Sequence, residues 1–209
     1  CADALTLQIR FGSYEYSREW GEEFLRRAAT LIENFHNTAN GRVQCQVAAH
    51  APDNCSPWML ARLLELANRH NLRRTIHLAQ SQGEVEQVGK LVGGTPIEYL
   101  RDNGWLGPDL LAAHWIFANE NDIEILAETG THMAHCPASG SRRGSNSGAN
   151  MPNIFDAGVN VALGTDNMSE DMFQALSIGI IINRGKRGGG TQPMPIDLLD
   201  CATRNGAEA

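Results

Sequence analysis

The sequence has no excess of basic residues and no long hydrophobic run. It has 17 Lys and Arg against 24 Asp and Glu, a formal net charge of −7, so it lacks the clustered positive charge typical of nucleic-acid-binding proteins. The longest apolar stretches, near residues 110–117 and 178–182, are much shorter than the ~20 residues of a membrane-spanning helix. No basic segment followed by apolar residues opens the chain. We therefore expect a soluble, cytoplasmic protein with neither a nucleic-acid nor a membrane partner.

Paired cysteine motifs and glycine-rich nucleotide loops are also missing. The five cysteines are dispersed, odd in number and never arranged as C-x-x-C, which argues against a disulfide framework and a structural zinc knuckle. We expect them to be buried thiols. Neither G-x-G-x-x-G nor G-x-x-x-x-G-K-[ST] occurs, which excludes the usual dinucleotide and phosphate cradles.

Length and composition predict one globular domain. The chain has 209 residues, of which 42% are apolar and 20% charged, as in ordinary soluble proteins. We find no domain boundary and expect a single catalytic domain over residues 1–209. The chain starts at Cys1 and stops soon after a helix predicted over 196–203, so we expect it to be part of a longer protein.

Hydrophobic patterning predicts alternating strands and helices after one N-terminal amphipathic helix over 14–36. The predicted strands are Val43–Ala49, Thr75–Ala79, Leu110–Trp115, His132–Cys136 and Val159–Gly164. Helical patterns follow over 58–70, 83–92, 119–129 and 168–183. Because the strands are apolar on both faces, they are typical of parallel strands in an α/β fold. Either a doubly wound sheet or part of a (β/α)8 barrel would give this order.

Titratable residues lie at or near the carboxyl ends of the predicted strands, and this favours the barrel. They are His50, His77, His114, His135 and Asp166. Active sites of (β/α)8 barrels are built from side chains at that end of several strands. We expect residues 139–150 to form a long loop over the site, 185–190 a flexible connector, and His36 and His70 to be exposed.

Each of these residues also has an ordinary structural explanation. His77 alone is more often a histidine satisfied in the core or at the surface, and Asp166 could cap a helix beginning near residue 169. His132 and His135 point to opposite strand faces, and we favour His135 because its strand ends directly after it. Unrelated structural histidines would be scattered along the chain, yet four histidines and one aspartate lie at strand ends. A hydrolytic metal site explains this common placement better than chance does.

Six ordered segments resemble the amidohydrolase superfamily, and more narrowly its deaminase branch of cytosine, guanine and S-adenosylhomocysteine deaminases and triazine hydrolases. The segments are Ala48–Pro52, His77–Gln80, Leu111–His114, Ala134–Ser139, Gly158–Asp166 and Ala202–Ala207. The resemblance implies a (β/α)8 TIM-like barrel with one divalent metal ion, Zn²⁺ in the first place and Fe²⁺ as the alternative.

The resemblance also implies a role for each matching residue. His77 and Asp166 would be metal ligands, with Asp166 also carrying the proton in catalysis. His114 would orient the attacking hydroxide or polarise the substrate, and His50 and His135 would line the substrate pocket. The substrate would be a small nitrogen heterocycle, namely a purine, pterin, pyrimidine or s-triazine, deaminated by hydrolysis. The sequence leaves homo-oligomerisation open.

Two departures from the family pattern keep alternatives open. Gln80 stands where the branch usually has a Glu that protonates a ring nitrogen, and an amide cannot deliver that proton. No H-x-H occurs, so the chain would hold only the C-terminal strands, without the first strands or the accessory β-sandwich. Besides a deaminase, in which Gln80 would be catalytic or would bind substrate, we therefore consider a cyclic-amide hydrolase and a catalytically incomplete chain.

Overall fold

Parallel strands and helices form two compact units in the computed structural model, which describes residues 1–2, 16–142, 149–167, 170–186 and 191–209. The first unit comprises Cys1–Leu78 and Gly83–Trp105, and the second Ala79–Gln82 and Leu106–Ala209. The α/β class predicted from the sequence is confirmed in each unit. The single domain expected over residues 1–209 stays a prediction.

Within its described residues, the first unit contains two short strands and five helices. In chain order its elements are α1 (Arg18–Phe35), α2 (Thr38–Gly41), β1 (Val47–Ala48), a 3₁₀ turn (Pro52–Asn54), α3 (Pro57–His70), β2 (Arg74–Leu78), α4 (Gln82–Val92, whose first residue belongs to the second unit) and α5 (Pro96–Asp102). The strands are parallel, with Ala48 paired to Thr75. Continuing this register past β1 sets His50 beside His77.

The core of the first unit gathers around α3. Met59, Leu60 and Leu63 are fully buried on one face of this helix, and each such side chain stabilises the fold by about 1.5–3 kcal/mol. Trp105 is also fully buried, and its indole Nε1 donates a 2.8 Å hydrogen bond to the Leu60 carbonyl. Helix α3 begins where the Ser56 hydroxyl accepts a hydrogen bond from the Met59 amide, as expected of an N-cap serine.

The described part of the second unit contains three further strands, each parallel to its neighbour. Its elements are β3 (Leu110–His114), α6 (Glu120–Glu128), β4 (His132–His135), α7 (Pro137–Arg142), α8 (Met151–Asp156), β5 (Val161–Leu163), α9 (Met172–Lys186), α10 (Pro195–Ala202) and α11 (Arg204–Glu208). Strand β4 lies between β3 and β5. Leu110, Met133 and Val161, one from each strand, are buried in the core of this unit.

All five predicted strands and all predicted helices occur, within narrower or slightly shifted bounds. Strand β1 is much shorter than the predicted Val43–Ala49, and α1 covers 18–35 of the predicted 14–36, of which residues 14 and 15 lie outside the described part. The helix predicted over 168–183 is α9, whereas residues 168 and 169 are not described. Five short helices in the described residues, α2, α5, α7, α8 and α11, were not predicted.

The two loop predictions are partly wrong. Of the loop expected over 139–150, residues 139–142 belong to α7, because Pro137 can start a helix at its first position; residues 143–148 lie outside the described residues. Of the connector expected over 185–190, Gly185 and Lys186 continue α9. Residues 187–190 are not described.

The predicted burial of the cysteines and the exposure of two histidines also need correction. Only Cys55 and Cys201 are buried, whereas the other three thiols are partly exposed. His36 and His70 are half-buried rather than exposed. His36 lies just after α1, where its Nδ1 accepts a 3.2 Å hydrogen bond from the Cys45 amide, which explains its partial burial. None of the helices in the described residues is long and apolar enough to cross a membrane.

Candidate active site

The three strands of the second unit end at one edge, where they bring together three of the predicted site residues. Ala113 of β3 pairs with Ala134 of β4, and His135 of β4 pairs with Leu163 of β5. This register sets His114 beside His135. Because Asp166 follows β5 by three residues, it reaches the same edge.

His114 and Asp166 approach each other closely at this edge. Nε2 of His114 lies 3.9 Å from Oδ2 of Asp166, and the two side chains are 3% and 19% exposed. This separation is too long for a hydrogen bond, and the two side chains attract each other as charges only when the imidazole is protonated. The Asp166 carboxylate, which can accept a proton, thus lies beside the His114 ring, which can donate or accept a proton.

The Asp166 carboxylate is held by hydrogen bonds to both oxygens. The Ser139 hydroxyl, on α7, donates to Oδ2 over 2.5 Å, and the backbone N–H of Asn167 donates to Oδ1 over 2.6 Å. Ser139 is fully buried, so its hydroxyl has a fixed position. The carboxylate is thus oriented before any substrate binds.

His135 is buried as a neutral ring. Burial lowers its pKa to about 3, and the charges of Lys186 and His114 act in the same direction. Nδ2 of Asn183 lies 3.3 Å from Nε2 of His135; with the amide in this orientation, Nε2 accepts and Nδ1 carries the proton. At neutral pH His135 is therefore a hydrogen-bonding group and not a cation.

Lys186, at the end of α9, supplies a positive charge near His135. Its Nζ donates a hydrogen bond to the Ala149 carbonyl. Partial burial lowers the pKa of Lys186 to about 8, so that the amine is still mostly protonated at neutral pH. This charge adds to the desolvation that keeps His135 neutral.

His114 and His135 line a cavity of about 260 Å³ within the second unit. The other lining residues, mostly apolar or small, are Ile116, Cys136, Pro137, Gly140, Ser141, Ala149, Ile182 and Asn183. A concave, largely apolar cavity with a few converging polar groups is the usual form of a small-molecule site.

The backbone adopts unfavourable conformations at the same edge. His114, Trp115 and Asp166 have φ angles of 85°, 53° and 56°, in the left-handed region that costs a non-glycine residue roughly 1–2 kcal/mol. Such outliers concentrate at functional sites, where the surrounding structure compensates for them. Their presence at two strand ends supports a functional edge.

His50 and His77 lie together in the first unit. Their ring centroids are 5.1 Å apart, and the His50 carbonyl is 3.1 Å from the His77 amide nitrogen and 2.7 Å from His77 Nδ1. A donated Nδ1–H fixes the tautomer in which Nε2 of His77 carries the lone pair, as in metal-ligating histidines. Desolvation, together with the neighbouring His77, lowers the pKa of His50, whose Nδ1 lies 2.6 Å from Asn54 Nδ2.

Gln80 lies in the short segment of the second unit that follows β2. It is half-buried, and the preceding Ala79 has a φ of 48° and accepts a hydrogen bond from the Phe117 amide. The structure thus groups His114, His135 and Asp166 in the second unit and His50 and His77 in the first. The convergence of all five residues on one pocket stays a prediction.

Two residues of this region were not predicted from the sequence. Ser139, which positions Asp166, fell within the expected loop. Asn183 fell within the helix expected over 168–183, where it directly follows the apolar run 178–182. A lone amide on the buried side of such a helix is a signal that could have identified Asn183, since buried polar groups need partners.

The residues present do not fit a complete zinc site. Among the residues that the structure describes, no group of three or more His, Cys, Asp or Glu side chains is arranged to hold a metal ion. A catalytic zinc ion usually has three protein ligands and a water molecule. This result agrees with the absence of H-x-H from the sequence.

Solved structures resemble this chain over nearly all of its length. An adenosine deaminase from Xanthomonas campestris with bound zinc is 26% identical, with a TM-score of 0.83, over 93% of this chain and 44% of that one. The zinc complex of an atrazine chlorohydrolase from Arthrobacter aurescens is 20% identical, with a TM-score of 0.84, over 99% of this chain and 47% of that one. The second likeness concerns the fold alone.

Curated relatives point the same way. A 5′-deoxyadenosine deaminase from Methanosphaera stadtmanae is 33% identical over 93% of this chain and 46% of its own length. A 5-methylthioadenosine/S-adenosylhomocysteine deaminase from Syntrophobacter fumaroxidans is 35% identical over 90% of this chain and 43% of its own length. The chain thus spans slightly less than half the length of these relatives. The sequence profile of the amidohydrolase family matches residues 1–209, and the chain belongs to that family.

Proposed function

We propose that the protein carrying this sequence hydrolyses a carbon–nitrogen bond of a nitrogen heterocycle, with an adenosine-type purine as the substrate class. Family membership supports the hydrolysis, and the names of two relatives, which are deaminases of 5′-deoxyadenosine and of 5-methylthioadenosine and S-adenosylhomocysteine, support the substrate. In this reaction water adds to the ring carbon that bears the amino group. The carbon–nitrogen bond then breaks, ammonia leaves and a ring carbonyl remains.

The oriented Asp166 carboxylate beside His114 is the observation that carries this proposal. Asp166 receives hydrogen bonds from Ser139 and Asn167 on its two oxygens, so it is fixed where it can take a proton from water and pass it to the leaving amine. His114, 3.9 Å away, polarises the attacked ring or orients the water. His135 and His50 bind the heterocycle by hydrogen bonds.

A divalent metal ion belongs to the proposal as well. We assign it Zn²⁺, with Fe²⁺ as the alternative, and the ligands His77 and Asp166. The resemblance of the two segments around these residues supports the assignment, as do the zinc ion in the similar adenosine deaminase structure and the tautomer of His77. A (β/α)8 barrel and a cytoplasmic location are part of the same proposal.

Two other functions have specific observations in their favour. Gln80 in place of a carboxylic acid favours a hydrolase that opens a cyclic amide, because no ring nitrogen then needs a proton. The missing three-ligand group among the described residues favours a chain that is catalytically incomplete.

Product analysis distinguishes the three functions. The chain, supplied with Zn²⁺, is incubated with 5′-deoxyadenosine, adenosine or a cyclic amide such as dihydrouracil, and ammonia and ring-opened acid are measured. Ammonia from the nucleosides that disappears in Asp166→Asn supports deamination, whereas ring opening without ammonia supports the amide hydrolase. Neither product, with a folded chain, supports catalytic incompleteness.

A further inference from the structure

Asn183 carries a buried hydrogen-bond acceptor that the protein does not satisfy. The residue is 1% exposed, and no partner for its Oδ1 occurs within the described ranges of the chain. Buried side-chain oxygens nearly always have a partner, and one without a partner destabilises the fold. An acceptor kept in this state needs an explanation outside the chain's own hydrogen bonds.

The amide of Asn183 belongs to the cavity of the second unit. Asn183 lines that cavity together with His135, and its Nδ2 lies 3.3 Å from His135 Nε2. Nδ2 of Asn183 is thus held at the cavity wall by His135. Because Oδ1 is bonded to the same carbon as Nδ2, Oδ1 lies close to that wall as well. Asn183 also lines a second cavity, with Phe155 among its walls, but the contact with His135 ties the amide to the first.

The surroundings of this acceptor select a neutral donor. Lys186, one helical turn further along α9, donates from its ammonium group to the Ala149 carbonyl, and Ala149 lines the same cavity. A cationic ligand would be repelled by that ammonium group. The nearby lining residues Ile116, Pro137 and Ile182 are apolar and offer no competing acceptor from their side chains.

We propose that Asn183 is a specificity residue whose Oδ1 accepts a hydrogen bond from a neutral N–H or O–H group of the substrate. The inference rests on the proposed function and deepens it, since an adenosine-type substrate offers both donors: the exocyclic amino group and the ribose hydroxyls. Substrates without a donor at this position bind more weakly, because the acceptor then stays unsatisfied.

Ligand binding to the chain tests this role without requiring turnover. Dissociation constants are measured by calorimetry for wild type and for Asn183→Leu, which has a similar volume and no acceptor. The probes are adenosine, purine riboside, which lacks the amino group, and 9-methyladenine, which lacks the ribose. Asn68→Leu, the same change at an exposed position of α3, serves as the control.

We expect Asn183→Leu to bind adenosine about tenfold more weakly, the effect of one hydrogen bond, and Asn68→Leu to bind as wild type. If the amino group is the donor, the difference between wild type and Asn183→Leu vanishes with purine riboside. If a hydroxyl is the donor, it vanishes with 9-methyladenine. A difference that persists with both probes overturns the proposal.

Thermal unfolding of the ligand-free chain checks that the variant is folded. Asn183→Leu also removes the contact between Nδ2 of Asn183 and Nε2 of His135, which leaves a buried ring nitrogen without its donor, so we expect a somewhat lower melting temperature than for wild type. Binding is therefore compared at a temperature at which both proteins are folded. Unchanged adenosine binding by Asn183→Leu would overturn the proposed role of Asn183 but not the proposed function. A wild-type chain that binds none of the probes would overturn both.

Discussion

Nε2 of His114 and Oδ2 of Asp166 lie 3.9 Å apart, although the strands that lead to them, β3 and β5, are separated by β4. The backbone at both residues has a positive φ. Two strand ends in strained conformations thus meet over the end of a third. This arrangement makes Asp166 the most informative residue to change.

We expect Asp166→Asn to lower the rate of ammonia release by at least about 10²-fold, because general acid–base catalysis contributes roughly 10²- to 10⁴-fold and an amide cannot carry the proton. Asparagine tolerates a positive φ at least as well as aspartate, so the backbone at 56° is preserved. The rates are measured by an ammonia assay, and circular dichroism checks the fold.

Asp102→Asn is the matched control for this change, since Asp102 is exposed and pairs with the neighbouring Arg101. Its rate should equal that of wild type. Full activity in Asp166→Asn would show that this carboxylate carries no proton.

His135 should make the chain sensitive to acid. The pKa of the buried ring is about 3, whereas in the unfolded chain it is ~6.5, so the unfolded state binds a proton that the folded state does not. Stability is therefore highest above pH ~6.5 and is lost as the pH falls towards 3, by up to ~1.4 kcal/mol per pH unit. Urea unfolding at pH 7, 6 and 5 measures this slope.

The variant His135→Asn isolates the contribution of this ring. Because it removes the titrating group, its free energy of unfolding should fall less steeply between pH 7 and 5 than that of wild type. Equal slopes for the two proteins would contradict this account. They would mean that His135 takes up its proton at the same pH in the folded and the unfolded state.

The sequence predicted those elements whose burial pattern is simple. The apolar runs that became β3, β4 and β5 are buried on the core side, and His114, His135 and Asp166 could be identified because they directly end or follow these runs. The start of strand β1 could not be predicted, because Val43 and Cys45 extend the apolar alternation although they lie outside the pairing with β2.

The parts that were missed depend on contacts distant in sequence. Helix α5 has a readable start, in which Thr95 and Glu98 form a capping box, but its seven residues are too few for a periodic pattern. Ser139 gains its role from Asp166, 27 positions away, and Asn183 gains its role from His135, 48 positions away. No local pattern encodes such pairs.

The chain by itself should bind zinc weakly. The described residues hold no group of three ligands, and two ligands are fewer than a catalytic zinc site provides. After dialysis against micromolar Zn²⁺ we expect well under one zinc ion per chain by atomic emission. A full equivalent of zinc that disappears in His77→Ala would show that other residues complete the site.

Gln80→Glu tests whether a missing acid limits the reaction. If deamination needs a proton on the ring nitrogen, the new carboxylic acid should raise kcat/KM on amino-heterocycles, since such catalysis supplies ~10²- to 10⁴-fold. The gain should be largest for the least basic rings. If Gln80 instead donates from its amide to a substrate carbonyl, the carboxylate loses that donor and repels the oxygen, which costs on the order of 1 to 3 kcal/mol.

The two accounts of Gln80 thus predict changes of opposite sign. The measurement is kcat/KM for wild type and Gln80→Glu across purine, pterin and triazine substrates, with Gln87→Glu in α4 as the control for an added negative charge. An increase in kcat/KM for Gln80→Glu, with no increase for Gln87→Glu, supports the account in which a missing acid limits the reaction. A uniform decrease in kcat/KM rejects the missing-acid account, because supplying an absent proton donor could not slow the reaction of every substrate. It would instead identify Gln80 as a residue that recognises the ring.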